Sequence, residues 1–431
     1  MSESELQKLI AVPEPPADEP SPAKSDLAPD QALELVRAGK VVENARVKRL
    51  KLRGDFEQPV RFRNCVLVQC EFDGAVFRQD VAFVACTLDR PTFSKPSTFE
   101  KNLDLGHSVV NKAIISRLTV QGKLTAPHAE FRGRLTFADC AFGQGVSFWE
   151  AKFATWVDFT RCEFRDGVDF RSVQCDQGFV LTRCVFLGDF LFRGSCVEKK
   201  FQADGSRFEK LLDLSKAKLH DYVYLEAIEP GPAQSFAFLN AVAERIRVRP
   251  EQVEGRLDSE AAGRHEEAMQ EYGLLKRCYQ ALHRFDSEDW AFYRFKVNQR
   301  KAKPLSWARP WTVWRAFGDW LFLDVGCGYG TSPIRAVRMA LVIILGFAAL
   351  YATNVEMFYA EKRPYPDLPV TDPANRVMIG LITSVSVFTS GMGGIREIAQ
   401  GWMNVPVMVE SIMGTLLFGL FIVAFSRKVI R

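Results

Sequence analysis

Metal-ligand patterns are missing from this chain of 431 residues. Its five histidines (His107, His128, His220, His265 and His283) stand at no ligand spacing, and its ten cysteines include no CxxC pair. The usual zinc and redox motifs are thereby excluded, and reduced thiols in a cytoplasmic compartment are expected. A strong charge of one sign is also lacking: 56 Lys and Arg against 52 Asp and Glu leave +4. That is too little for a dedicated nucleic-acid binder, whose affinity needs clustered Lys and Arg. No nucleophile–base set and no pair of carboxylates stands in a recognisable catalytic context, so neither enzyme activity nor a cofactor is expected. The opening "MSESELQKLIAVPEPPADEP" has no basic start followed by a sustained apolar run, and no secretory signal is read there.

Phenylalanine is abundant, with 34 residues. After a Pro-rich, acidic stretch from Val12 to Asp30, read as part of a disordered tail over 1–44, the chain changes to short apolar beats. Phenylalanines at 131, 137, 142, 148, 153, 159, 164 and 170 alternate in steps of six and five, an internal repeat of eleven residues rather than a helical or simple alternating period. Two residues before many of the large apolar positions stands a small side chain: Cys65, Cys70, Ala75, Cys86, Cys140, Ala151, Cys162 and Cys184. The phase holds from Asn64 to Phe93 and from Phe131 to Phe208. Between Lys95 and Ala126 it blurs, which predicts a loop, a distorted coil or a bulge.

This alternation resembles the pentapeptide-repeat family. The resemblance implies a right-handed quadrilateral β-helix over 45–250, with the central Phe or Leu and the small residue two earlier both facing inward. Stacked coils would enclose each Phe, contributing roughly 1.5–3 kcal/mol per ring, and cysteine there serves as a small hydrophobe. About nine coils at strand spacing give a solenoid roughly 45 Å long. Such a domain offers flat faces for spacing and binding, and its cytoplasmic partner or ligand stays open.

A helical linker hairpin is predicted over 251–303. Ala268, Tyr272, Leu275, Tyr279 and Leu282 share one helix face; Asp286 or Ser287 caps a second helix carrying Trp290, Tyr293 and Val297. The stretch 304–338 mixes Trp307, Trp311, Trp314 and Trp320 with Arg309 and Arg315, a composition suited to the membrane interface. Two candidate spans follow within 339–431. Met339 to Val355 has no charged residue, and Val405 to Phe425 has only Glu410. Arg309, Arg315, Arg335 and Arg338 precede the first, and Arg427, Lys428 and Arg431 follow the second. This bias places both termini in the cytoplasm of a multi-pass inner-membrane protein.

Between the spans lies "MIGLITSVSVFTSGMGGI", too short to cross and ending in glycines. The order span, short helix, glycine loop, span resembles the two-span potassium-channel family. Set against that family's "TTVGYGD", the filter positions are Thr389, Ser390, Gly391, Met392, Gly393 and Gly394. The resemblance implies an α-helical channel-like membrane domain, four subunits around one pore, and monovalent cations as the permeant species. Met392 and Gly394, in place of the family's Tyr and Asp, weaken potassium selectivity. Glu410 either hydrogen-bonds the pore helix from behind the filter or sits exposed at the outer interface.

A second glycine run, "LDVGCGYG" from Leu323 to Gly330, imitates both a methyltransferase nucleotide loop and a channel filter. It precedes the first span and runs straight into lipid, with no βαβ unit after it, so it fits neither. Gly328, Tyr329, Gly330, Pro333 and Arg335 resemble a segment found in bacterial proteins that join pentapeptide repeats to a two-span channel. The resemblance implies a tight cytoplasmic turn with Tyr329 and Arg335 at headgroup level. The chain is thus read as a multidomain, homotetrameric cation channel of the bilayer with a cytoplasmic solenoid. The alternative is a non-conducting, membrane-anchored scaffold.

Overall fold

A computed structural model describes residues 24–93, 95–303, 310–358, 371–390 and 399–429. Two compact units divide at Ala243 and Glu244.

The first unit is a parallel β-solenoid. Its strands are two to four residues long over most of their course and alternate inward and outward: in Leu135–Ala138, Leu135 and Phe137 are buried while their neighbours are partly exposed. Strands this short gain stability only by lateral pairing. Most pair in parallel with the strand 21 or 22 residues further on, as in Leu135↔Val157 and Val157↔Phe179, and the step is 20 at the first coil and 24 at Leu211↔Ser235. A central coil contributes four strands, Glu130–Phe131, Leu135–Ala138, Ala141–Phe142 and Val146–Ser147. One sheet contains 10 strands, from Val42–Glu43 to Ser235–Ala237, and counts the turns at about 10.

Two eleven-residue beats make one coil, so like residues superimpose. Phe142, Phe164, Phe186 and Phe208 form one column with ring centroids 4.8, 4.7 and 4.8 Å apart. That is the spacing of neighbouring strands, and it leaves the rings in offset stacks. The small residues point inward beside them. Cys162 and Cys184 set their sulfurs 3.5 and 3.3 Å from the carbonyl oxygens of Phe137 and Phe159. Ser195 fills the equivalent inward position half a coil on, donating to Phe170 O at 2.6 Å and accepting from Val173 N at 3.0 Å. Burial pushes the Cys70 thiol up to about 12, consistent with an inert core group.

No loop interrupts the solenoid where the phase blurs. Strands continue at Ser97–Phe99, Leu103–Asp104, Val109–Asn111, Ala113–Ser116 and Leu118–Val120. The blur has two causes. Leu103, Val110, Ile115 and Leu118 replace Phe in the core, and the coil step changes from 21 residues at Val110↔Phe131 to 22 at Ala113↔Leu135. The additional residue is accommodated beside Gly133, where a Cβ would meet the Lys112 backbone nitrogen at 2.4 Å.

Order also begins earlier than the disordered tail of 1–44 allows. Ser25–Leu27 pairs in parallel with Ala45–Val47, and Pro29–Arg37 forms a helix with Pro at its first turn. Ala32 and Val36 of that helix are fully buried against the first coils.

The second unit is helical. His265–Ala281 and Phe285–Lys301 form the expected hairpin, with Ala268, Tyr272, Leu275 and Tyr279 buried. The second helix begins at Phe285 without a side-chain cap, so Asp286 lies in its first turn rather than before it. Pro310–Gly318 continues through wide π-helical turns over Asp319–Gly326. Three further helices follow, Pro333–Thr353, Pro373–Ser390 and Asn404–Val429. Among the described residues, two helical segments are long and apolar enough to cross a membrane, Pro333–Thr353 and Gly401–Val429.

Candidate functional site

The helix Pro373–Ser390 lies between the two apolar helices in sequence and packs on both. A Cβ at Gly380 would come within 2.5 Å of Ala348 O on the first apolar helix, and one at Gly414 on the second within 2.4 Å of Phe388 O. The two glycines therefore allow backbone-close contacts that no larger residue permits.

Glu410 stands at the centre of this arrangement and is fully buried. Its carboxylate accepts a hydrogen bond from Tyr351 Oη at 2.6 Å and another from the Ser384 hydroxyl. Ser384 Oγ also lies 2.9 Å from Ile344 O, so one hydroxyl proton faces two acceptors. A carboxyl group in an apolar helix is costly in lipid unless it finds protein partners. Here it joins all three helices. Of the two sequence expectations for Glu410, the structure has the contact with the helix preceding the glycine loop, and exposure at the interface is not observed. Tyr351, Phe358, Val387, Met403 and Val407 form an apolar cluster beside it.

Thr389 and Ser390 end the intervening helix, and Thr389 Oγ1 donates back to Val385 O at 2.7 Å. Gly391, Met392, Gly393 and Gly394 lie outside the described residues, as do Trp307, Arg309 and Arg431. The remaining interfacial tryptophans are exposed: Trp311 by 76%, Trp314 by 69% and Trp320 by 45%.

The segment Gly328–Tyr329–Gly330 is a tight turn. All three residues have positive φ, of 56°, 56° and 78°, before the helix opens at Pro333. Burial raises the Tyr329 phenol above its ordinary pKa. Arg335 is engaged within the protein: its guanidinium lies 4.6 Å from the Tyr293 ring centroid, with Nη1 3.4 Å from Asp324 O.

Sequence reasoning missed what the second hairpin helix does. Its Arg300 pairs with Asp324 at 2.6 Å, and its Tyr293 donates to the same carboxylate at 2.8 Å, holding the segment before the first apolar helix. Its other end holds the terminus of the second apolar helix. Arg427 pairs with Asp289 at 2.9 Å and lies 4.4 Å over the Phe292 ring, while Lys428 pairs with Asp286 at 3.1 Å. One linker helix therefore clasps the same end of both candidate spans. The signal was present as acidic residues at 286, 288 and 289 and basic ones at 427 and 428, but a separation of over a hundred residues hid the pairing.

A metal-ligand set, absent along the sequence, arises through coiling: Cys196, Glu198 and His220 place their ligand atoms within 4.8 Å of one another. Comparisons with protein-family models, curated proteins and solved structures find no match for the chain.

Proposed function

We propose that this chain is one subunit of a homotetrameric cation channel of the inner membrane, with both termini and a right-handed, four-sided solenoid in the cytoplasm. The observation that carries the proposal is the helix Pro373–Ser390, tied through Ser384 and Glu410 to both long apolar helices and delivering Thr389 and Ser390 to the glycine loop. A re-entrant helix followed by extended backbone is tolerated in a bilayer where it lines a water-filled cavity. Four such loops would present carbonyl rings to a monovalent cation. Glu410 then serves as support behind the filter, and the linker helix, clasped to both spans, carries solenoid movement to the pore. No catalytic step is part of this function.

Conductance across planar bilayers tests the proposal. Purified protein should conduct, and substitution of Gly391 or Gly393 by Ala should abolish the current while the assembly remains intact. A membrane-anchored scaffold would give no current in either form.

A further inference from the structure

We propose that Cys196, Glu198 and His220 form a binding site for a zinc-class divalent cation on the outer surface of the solenoid. Cys196 alone among the ten cysteines is not buried. It takes the outward position of the strand Cys196–Val197, whose second residue faces the core. In the same column one coil earlier and one coil later stand Gln174 and Lys218, so this column is polar and packing gives no reason for a thiol.

Glu198 follows two residues later on the same coil, and His220 arrives one coil on. The Cys196 sulfur lies 3.5 Å from Glu198 Oε1, and His220 Nε2 lies 3.8 Å from that same oxygen. Around a tetrahedral zinc ion, with Zn–S about 2.3 Å and Zn–N and Zn–O about 2.0–2.2 Å, neighbouring ligand atoms fall about 3.3–3.6 Å apart. Two of the three separations are thus close to ligand spacing already, and the third, between the Cys196 sulfur and the His220 ring nitrogen, is within 4.8 Å. The remaining contraction is available from rotation of Glu198 and His220, whose side chains are about half exposed at 52% and 50%.

The donor set identifies the cation. One thiolate, one imidazole and one carboxylate suit a borderline-soft ion and disfavour magnesium or calcium, which seek oxygen alone. The carboxylate of Asp176, one coil before Glu198, adds negative charge near the thiol. Three protein ligands leave a fourth position for water. A bound ion would tie two successive coils together through their side chains, independently of any role of the membrane helices.

Cobalt serves as the spectroscopic probe. Full-length protein in detergent, stripped of metal, is titrated with Co2+ and then with Zn2+. The expected result is a thiolate-to-cobalt charge-transfer band that saturates at one ion per chain and is displaced by zinc. Cys196→Ser should remove the band. His220→Ala should weaken Co2+ binding at least about 100-fold, since loss of an outer-shell partner alone costs about 10–100-fold. Circular dichroism of both variants should match the parent, because neither side chain is in the core. A titration without the band overturns the proposal, as does a band that persists in Cys196→Ser or an affinity unchanged in His220→Ala.

Discussion

Tyr351 and Glu410 stand fifty-nine residues apart and share a 2.6 Å hydrogen bond between the two long apolar helices. With Ser384 on the other carboxylate oxygen, a single side chain locks three helices in register. Buried polar groups of this kind are stabilising only while every partner is present, because an orphaned donor or acceptor retains its full desolvation cost.

Removing one partner is therefore expected to be costly. Tyr351→Phe and Ser384→Ala should each destabilise the helical unit by about 1–3 kcal/mol. Glu410→Gln keeps the volume but weakens both bonds, and should lower ion flux and the thermal midpoint of the detergent-solubilised protein together. Unchanged flux and midpoint in Glu410→Gln would show that the carboxylate supports nothing.

The clasp between Arg300 and Asp324 makes a second prediction. The pair is 2.6 Å long with side-chain exposures of only 17% and 12%, so water screens it poorly. Asp324→Asn should cost about 1–3 kcal/mol, and a double-mutant cycle with Arg300→Gln should show a coupling of about 0.5–3 kcal/mol. Additive effects of the two substitutions would mean that the linker helix does not hold the segment before the first apolar helix through this pair.

Selectivity should be weak if the glycine loop conducts. A filter discriminates through carbonyls held in a stiff frame. A methionine side chain, as at Met392, is unbranched and lacks a phenol to anchor that frame, Ser390 lacks a β-branch, and Gly394 carries no charge. Reversal potentials under potassium and sodium gradients should nearly coincide. The double substitution Met392→Tyr, Gly394→Asp should separate them in favour of potassium. A strong potassium preference in the unmodified protein would be the contrary result.

Acid should loosen the linker hairpin at one carboxylate. Burial opposes ionisation of Glu260, but Tyr272 at 2.6 Å, Asn298 at 3.0 Å and Arg294 at 2.8 Å donate to it, and its folded pKa lies below the ordinary value. A depressed folded pKa gives stability that is complete above the unfolded value of about 4.3 and is lost as pH falls through the folded value. Denaturant unfolding followed below pH 5 should show a shallower decline in Glu260→Gln than in the parent. Parallel curves would remove Glu260 as a source of acid sensitivity.

The solenoid was legible wherever the repeat was strict. Phe and Cys recur in the sequence because one core position recurs in space, so Phe142 announces Phe164 and Phe186. Legibility failed at Val110 and Ala113, where aliphatic residues fill the same positions and one residue is gained per coil. Both apolar helices were visible from hydropathy, although they extend beyond the apolar runs to Pro333 and Val429. Glu410 stood out because charge is rare in such a segment. Its partners Tyr351 and Ser384 did not, since a hydroxyl in an apolar helix carries no mark of what it faces. Cys196, Glu198 and His220 were invisible for another reason: motif spacing is counted along the chain, while a coil of 22 residues sets neighbours across it.

The strand Ser25–Leu27 and the helix Pro29–Arg37 carry a consequence for copy number. A parallel sheet has no intrinsic last strand, and its open edge offers unpaired amides and carbonyls to any chain in matching register. At that end the first coils are covered by the chain's own helix, through Ala32 and Val36. A helix in that place opposes growth of the coil stack at that end, so that its length would be inherited from the gene rather than set by concentration.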